Sequence, residues 1–125
     1  MPGETRLDHV LVVDDDRTII SFIDMALSFD GFKCIGATNG EEAMQKLAEV
    51  TPSLILLDIS MPLMDGREFC QWLRSTGHSE VPVVLMTAGV NVAKTCKEVG
   101  AQACLVKPFD LSDLQSCVRK WATNA

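Results

Sequence analysis

The sequence predicts an α/β fold, a doubly wound five-stranded parallel sheet with helices on both faces. Five short apolar runs alternate along the chain with five segments whose apolar residues recur at helical spacing. Several runs are continuously apolar, which is typical of parallel strands that right-handed crossover helices cover on both faces. The predicted strands are His9 to Val13, Phe32 to Ala37, Leu54 to Asp58, Val81 to Met86 and Ala101 to Val106.

The composition favours one domain in a chain of this size. The 125 residues are 47% hydrophobic, which is enough for one core, and no repeat or linker divides them. We therefore expect a single domain over residues 1–125 with its core at about 8–123. The five cysteines are odd in number and include no CxxC pair, so neither a disulfide framework nor a thiolate metal site is indicated.

Charge and hydropathy exclude several classes of partner. A net charge of -6 argues against direct binding to nucleic acid or to an anionic membrane. No apolar run approaches the length of a membrane span, and the start MPGETRLDH is too polar for a signal peptide. These observations predict a cytoplasmic protein.

The first two helices have recognisable beginnings. After the first strand, Asp16 can cap a helix, and Gly31 suits its C-terminal cap. After the second strand, Asn39 and Glu42 resemble a capping box. The predicted apolar faces are Ile19, Phe22, Ile23, Ala26 and Leu27 for the first helix, and Ala43, Met44, Leu47 and Ala48 for the second.

The last three helices follow the same pattern. Asp65 with Glu68 predicts the start of the third helix, which should end near Thr76 and Gly77. Pro82 then lies at the start of the fourth strand, where a missing donor does least harm. Asn91 is predicted to cap a helix that stops at Gly100, and Asp110 to cap the last helix. The apolar faces of the third and fifth helices are Phe69, Trp72 and Leu73, and Leu111, Leu114, Val118 and Trp121.

Polar side chains stand where four of the five strands end. They are Asp14 and Asp15, Asp58, Thr87 and Lys107. Ligands of open parallel sheets bind at the carboxyl edge, so we expect these residues to converge there. Each also has an ordinary interpretation, since aspartate caps helices, threonine favours strands, and lysine is usually a solvated loop residue.

Taken together, these side chains indicate phosphoryl transfer. Clustered carboxylates repel one another and favour a hard cation, so Asp14, Asp15 and Asp58 look like a Mg²⁺ site. The Thr87 hydroxyl and the Lys107 ammonium can balance phosphoryl oxygens, and Asp58 in their midst can act as the nucleophile. A cis Lys107-Pro108 bond would aim the ammonium back over the carboxylates, and proline lowers the cost of that isomer.

Four segments, VVDDD, LLDISMPLMDG, VVLMTAG and LVKPF, fall in an order and at a spacing that resemble the CheY-like receiver domain of response regulators in two-component signalling. The resemblance implies the strand order 2-1-3-4-5, an order the fold class shares with flavodoxin. It also implies that Asp58 accepts a phosphoryl group from a phosphohistidine of a sensor histidine kinase or phosphotransfer protein. Asp15, Asp58 and the backbone carbonyl of Ser60 would bind Mg²⁺, with Asp14 acting chiefly through water, while Thr87 and Lys107 hold the phosphoryl oxygens.

By the same resemblance, the domain catalyses only its own phosphorylation and dephosphorylation and is not otherwise an enzyme. Its downstream target or effector domain would bind the face made by the fourth helix, the fifth strand and the fifth helix. The chain departs from the family pattern at Cys104, where many members have an aromatic residue that swings inward on activation. Gly89 and Ser60 flank the family's route for the hydrolytic water and offer little to orient it.

Two other functions fit parts of the sequence. Asp14-x-Asp16-x-Thr18 matches the DxDxT opening of haloacid-dehalogenase-type phosphatases, although such an enzyme needs a further acidic pair after the lysine. A receiver-like interaction module that works without phosphorylation would keep the fold, but such modules usually lose an acid, the threonine or the lysine. The chain could be a complete single-domain regulator or the receiver of a longer protein.

Overall fold

The computed structural model describes residues 8–59, 66–78, 80–88 and 91–122. Five strands and five helices alternate through these residues. The strands are β1 (Asp8–Val13), β2 (Phe32–Ala37), β3 (Leu54–Asp58), β4 (Val83–Thr87) and β5 (Ala103–Val106). The helices are α1 (Arg17–Ser28), α2 (Gly40–Glu49), α3 (Gly66–Ser75), α4 (Val92–Val99) and α5 (Leu111–Ala122). Each helix of the described chain is too short or too polar to cross a membrane.

The five strands form one parallel sheet in the order β2-β1-β3-β4-β5. Val13 pairs with Ala37 on one side and Leu57 on the other, and Asp58 pairs with Met86. The fourth and fifth strands end together, because Thr87 pairs with Val106. The predicted fold class and strand order are both confirmed, and the register brings four strand ends to one edge.

The sheet separates two apolar layers. Alternate residues of each central strand point to opposite faces, so Ile55 and Leu57 join one layer while Leu54 and Leu56 join the other. Helices α2, α3 and α4 cover the first face, and α1 and α5 cover the second. All five residues of β3 are buried, as are those of β4. This two-sided burial explains why these strands read as continuous apolar runs.

Two strands begin two residues later than the sequence suggested, at Val83 and Ala103. Val81 is buried, but its N–H donates to the His78 carbonyl in a turn, and Pro82 has no N–H to give. Gln102 pairs with Val83 partly through its side chain, whose Oε1 accepts the Val83 N–H at 2.7 Å. The Gln102 N–H still donates to the Val83 carbonyl at 2.9 Å, so one of the two bonds between these residues is a backbone bond and the other a side-chain bond.

The predicted helix starts are right at three positions. Asp16, Asn39 and Asp110 each accept a hydrogen bond from a backbone N–H in the first turn of their helices, at 2.9, 2.8 and 2.8 Å. In the capping box, Glu42 bonds the N–H and hydroxyl of Thr38 and not the N–H of Asn39. The predicted cap at Asp65 lies outside the described residues.

Asn91 occupies the predicted N-cap position of α4, but not with the expected capping geometry. Its backbone is left-handed, with φ 58° and ψ 41°, and its side chain makes no capping bond. The Asn91 carbonyl accepts the Thr95 N–H instead, at 3.0 Å. At the other end of α4, Gly100 adopts a φ of 86° and ends the helix as predicted.

Three further details differ from expectation. Helix α1 ends at Ser28 with Phe29 as its cap, so Gly31, at φ 83°, belongs to the turn beyond it. Ala48 and Leu111 were placed on apolar faces but are exposed, Leu111 at 43%. Both lie at the margin of an apolar stripe, where helical spacing alone does not decide burial.

The Lys107-Pro108 bond is cis, as predicted.

Candidate functional site

Two buried carboxylates lie at the carboxyl edge of the sheet. Asp58 is the last residue of β3 and is 3% exposed. Asp14 directly follows β1, the neighbouring strand, and is completely buried. Its N–H donates to the Ala37 carbonyl at 3.0 Å, which continues the pairing of β1 with β2. Adjacent strands in a fixed register thus bring two acids together from positions far apart in sequence.

Asp15 completes an acidic cluster with them. One carboxylate oxygen from each of Asp14, Asp15 and Asp58 lies within 4.8 Å of the others. Asp15 is exposed, so the cluster opens to solvent on its side. Three carboxylates at this spacing are a donor set for a hard divalent cation such as Mg²⁺, which takes oxygen ligands and keeps several waters. The residues present therefore fit the predicted metal.

Lys107 holds the two buried acids through one ammonium group. Its Nζ lies 3.0 Å from Asp14 Oδ2 and 3.5 Å from Asp58 Oδ2. The lysine side chain is 22% exposed, so these ion pairs are largely shielded from water. The sequence's alternative interpretation, a solvated loop lysine, does not fit this position.

Burial and neighbouring charges shift the pKa values of Asp14 and Lys107. Burial of Asp14 raises the pKa of its carboxyl group above the ordinary 3.8. Hydrogen bonds from the Asp16 N–H and Lys107 oppose that shift, and the charge of Asp58 adds to it. Partial burial lowers the pKa of Lys107, but its bond to Asp14 and the two nearby carboxylates outweigh burial and raise it above 10.5.

Both oxygens of Asp14 are already engaged. Oδ1 accepts the Asp16 N–H at 2.9 Å, and Oδ2 accepts the Lys107 ammonium at 3.0 Å. Asp15, exposed beside it, is the more accessible carboxylate. This arrangement suits direct ligation by Asp15 and a more distant role for Asp14.

Thr87 closes the site from the side of β4. It is the last residue of that strand and is 5% exposed. Its carbonyl accepts the Lys107 N–H at 2.8 Å, so the end of β4 also positions the lysine backbone. The structure therefore places Asp14, Asp15, Asp58, Thr87 and Lys107 at one edge, whereas Ser60 and Gly89 lie outside the described residues.

Beside this edge, α4 and β5 border an open groove of about 540 Å³. Its lining residues are Val92, Ala93, Cys96, Lys97, Ala101 and Cys104. The sequence singled out Cys104 but not the approach of Cys96 to it. Helical spacing could have placed Cys96 on the inner face of α4. Whether Cys96 then lies near Cys104 depends on how α4 packs against β5, which the spacing does not give.

The position of Asp16 does not support the phosphatase interpretation. Its side chain accepts the Thr18 N–H at 2.9 Å and so caps α1. In the DxDxT interpretation, the second aspartate would have to serve the chemistry. Here the first aspartate of the motif, Asp14, belongs to the acidic cluster, and the second, Asp16, is the helix cap.

Comparisons of the sequence with a family model and with curated proteins point to the same family. The sequence model of the response regulator receiver domain matches residues 10–119. The probable transcriptional regulator ycf27 of Pyropia yezoensis is 38% identical over 118 residues, which cover 93% of this chain and 48% of that protein. The response regulator MprA of Mycolicibacterium vanbaalenii is 38% identical over 113 residues, covering 89% and 48%. The chain thus spans about half the length of these relatives.

A solved structure agrees with the sequence comparison. The chemotaxis protein CheY4 of Vibrio cholerae superposes with a TM-score of 0.86 at 29% identity, covering 93% of this chain and 99% of that one. The similarity therefore extends through the whole alternating architecture.

Proposed function

Because this chain belongs to the response regulator receiver domain family, we propose that Asp58 accepts a phosphoryl group from a phosphohistidine of a sensor histidine kinase or phosphotransfer protein. One observation carries the proposal: Lys107 spans Asp14 and Asp58, 3.0 and 3.5 Å from their carboxylates, inside a cluster that Asp15 completes. A structural ion pair would need only one acid. Two buried acids on one largely shielded lysine, with a third acid beside them, suit a site that takes up a further cation.

The transfer uses the Asp58 carboxylate as nucleophile. One of its oxygens forms the new bond to phosphorus while the bond from phosphorus to the histidine nitrogen breaks. The Lys107 ammonium neutralises charge on the phosphoryl oxygens, and the Thr87 hydroxyl donates a hydrogen bond to one of them. Asp58 supplies the acceptor from a buried strand end, so the reacting oxygen is held in place before the donor arrives.

Mg²⁺ is the cofactor that this site would take. Asp14, Asp15 and Asp58 would hold it together with the backbone carbonyl of Ser60, Asp14 acting chiefly through water. When bound, the ion offsets repulsion between an acidic pocket and an anionic donor. The engaged oxygens of Asp14 and the exposure of Asp15 support this division of roles.

Removal of the phosphoryl group follows at the same residues. A water attacks phosphorus, the bond to Asp58 breaks, and Lys107 holds the departing oxygens. The domain would then be a signalling phosphoacceptor, working in the cytoplasm, that catalyses only its own modification and its loss. The family's downstream partners are protein targets or attached effector domains, and we propose the same class here.

We assign the output to the face formed by α4, β5 and α5. The phosphoryl group would draw the Thr87 hydroxyl toward it and pull on the segment leading to α4. Cys104 lies on β5, the strand that pairs with the end of β4, and is half-buried beside the open groove. A thiol fills such a space less completely than an aromatic ring, so the active conformation gains less burial energy and the phosphorylated population is more mixed.

Trapping the phosphorylated residue tests the assignment of Asp58. With Mg²⁺ and acetyl phosphate, the wild type should gain the mass of one phosphoryl group, and peptide mapping should place it at Asp58. Asp58→Asn should remove this modification, and Lys107→Ala should slow it on the order of 10²-fold. Asp24→Asn, an exposed aspartate away from the site, is the control and should react at the wild-type rate.

Other outcomes would overturn the assignment. Wild-type labelling of Asp58→Asn would show that another residue is the acceptor, and labelling at Asp14 would favour the phosphatase chemistry. Persistence of the reaction after chelation would contradict the metal's role.

The output face has a separate test. Beryllofluoride, a phosphoryl mimic, should shift backbone amide signals strongly near Thr87 and weakly toward Cys104 and α5. In Cys104→Tyr the distant shifts should become larger, because the ring fills the groove in the active state. Distant shifts that are already saturated in wild type, or unchanged in the variant, would show that Cys104 does not limit the switch.

A further inference from the structure

Two cysteines meet at the boundary of α4 and β5. Cys96 lies in the middle of α4 and Cys104 is the second residue of β5. Both side chains line the same groove between α4 and β5, so the two thiols face each other across the boundary of these elements. Each thiol also reaches a backbone carbonyl, Cys96 that of Ala101 at 3.5 Å and Cys104 that of Val92 at 3.7 Å. These bonds hold both side chains at the same boundary.

The pair is accessible from solvent. Both cysteines are half-buried, and both line the open groove of about 540 Å³. Lys97, the next residue of α4, lines the groove as well and adds a positive charge near the thiols. A small oxidant can therefore reach sulfur atoms that a larger protein reagent would reach less easily.

We propose that Cys96 and Cys104 form a redox modification site that reacts with hydrogen peroxide to give an intramolecular disulfide. The Cys96 sulfur attacks one peroxide oxygen, the oxygen-oxygen bond breaks, and a sulfenic acid and water result. The Cys104 sulfur then attacks the Cys96 sulfur, and the sulfenic oxygen leaves as a second water with the thiol proton. The two thiols lose two electrons, and one peroxide is reduced to two waters.

The order of attack follows from the environment of Cys104. Burial, reinforced by the neighbouring Cys96 thiol, raises the pKa of the Cys104 thiol to about 12. A thiol that resists ionisation is a poor first nucleophile, which leaves Cys96 to meet the oxidant. The second step, in which Cys104 is the nucleophile, should therefore be slow at neutral pH and should accelerate in alkaline solution.

The bond would join the centre of α4 to β5. On the proposed function, α4 and β5 are parts of the output face, so a covalent link between them restrains the movement that phosphorylation requires. Reduction would release it. Oxidation and phosphorylation would thus act on the same face through different residues.

Peptide mapping tests the site without any phosphorylation. In Cys117→Ser, trypsin should place each remaining cysteine on its own peptide, because cleavage after Lys97 separates Cys96 from Cys104. After treatment of the folded protein with hydrogen peroxide, the peptide 95–97 should be linked to the peptide carrying Cys104, with the loss of two hydrogen atoms. Dithiothreitol should separate them again.

A variant and a denaturant supply the controls. Cys96→Ser in the same background should give no link to Cys104. Peroxide treatment in urea should give mixed links that include Cys34 and Cys70, since the folded chain is what selects the pair. Links to those cysteines in the folded protein, sulfinic acid alone, or no reaction would each overturn the proposal.

A second measurement separates the site from its consequence. Beryllofluoride should shift the amide signals of α5 less in the oxidised protein than in the reduced one. If the linked peptide forms and these shifts stay equal, the disulfide is real but does not restrain the switch. If reduced protein shows no beryllofluoride response, the proposed function fails while the disulfide remains.

Discussion

At the residue scale, the two buried carboxylates of the site share a small number of hydrogen-bond and ion-pair partners. One lysine ammonium contacts two carboxylates, and one backbone N–H satisfies the remaining oxygen of Asp14. Asp14 and Asp58 are both nearly or completely shielded from water. One ammonium balances only one of these two negative charges, so the folded chain retains repulsion here that a cation or a proton can relieve.

Replacing Asp14 should reveal this repulsion. Its pKa is raised above 3.8 in the folded chain, so the folded state binds the proton more tightly than the unfolded state does. The resulting stabilisation is present at low pH and declines as the pH rises from 3.8 toward the folded-state pKa. Asp14→Asn does not titrate, so we expect it to be more stable than wild type at pH 7 without divalent cations.

Urea denaturation over this pH range measures the difference in the free energy of unfolding. The advantage of Asp14→Asn should grow from acid toward neutral pH. Asp24→Asn, which is exposed, should show no such trend. An advantage that is independent of pH would contradict the repulsion as its cause.

At the element scale, the strands were easier to predict than the helix ends. Burial on both faces requires a continuous apolar run, so both ends of β3 were predicted correctly. The start of β4 was missed because Val81 is buried in a turn outside the sheet, and the start of β5 because the Ala101 N–H still bonds the Cys96 carbonyl of α4. The position of Asn91 was predicted but its conformation was not, because asparagine is favoured both as an N-cap and in the left-handed region, and sequence does not separate the two.

Two asparagine variants distinguish these cases. Asn39→Ala removes a cap whose Oδ1 accepts the Glu42 N–H at 2.8 Å. We expect it to cost about 1 kcal/mol and to lower the melting temperature by about 3–5 °C. Asn91→Gly removes no capping bond and relieves a left-handed backbone, so it should leave the melting temperature unchanged or slightly higher. Equal losses in both variants, measured by calorimetry, would contradict this account.

At the scale of the whole molecule, the sheet separates the core into two apolar layers, and the site residues lie together at its carboxyl edge. The sequence predicted this edge because polar residues at strand ends must meet when strands are parallel. It could not predict that Lys107 contacts Asp14 more closely than Asp58, since that depends on packing between β1, β3 and β5. The placement of Cys96 and Cys104 on one groove was missed for the same reason.

Magnesium should stabilise the whole fold through this edge. A ligand that binds only the folded state adds about 2.7 kcal/mol to the free energy of unfolding at a hundredfold excess over its Kd. We expect Mg²⁺ to raise the melting temperature of wild type and to have little effect on Asp15→Asn. Sodium chloride at the same ionic strength is the control. An equal rise with either salt, or in Asp15→Asn, would show general screening in place of a site.

The ion pair between Asp14 and Lys107 joins residues 93 positions apart in the chain. During synthesis, Asp14 and Asp58 leave the ribosome well before the lysine, and the acids cannot be neutralised by it until β5 has been added to the sheet. A truncated or half-folded chain therefore presents acids without their cation and does not offer a finished acceptor. The cell would gain a form of quality control, because only chains completed through the fifth strand could enter the signalling pool.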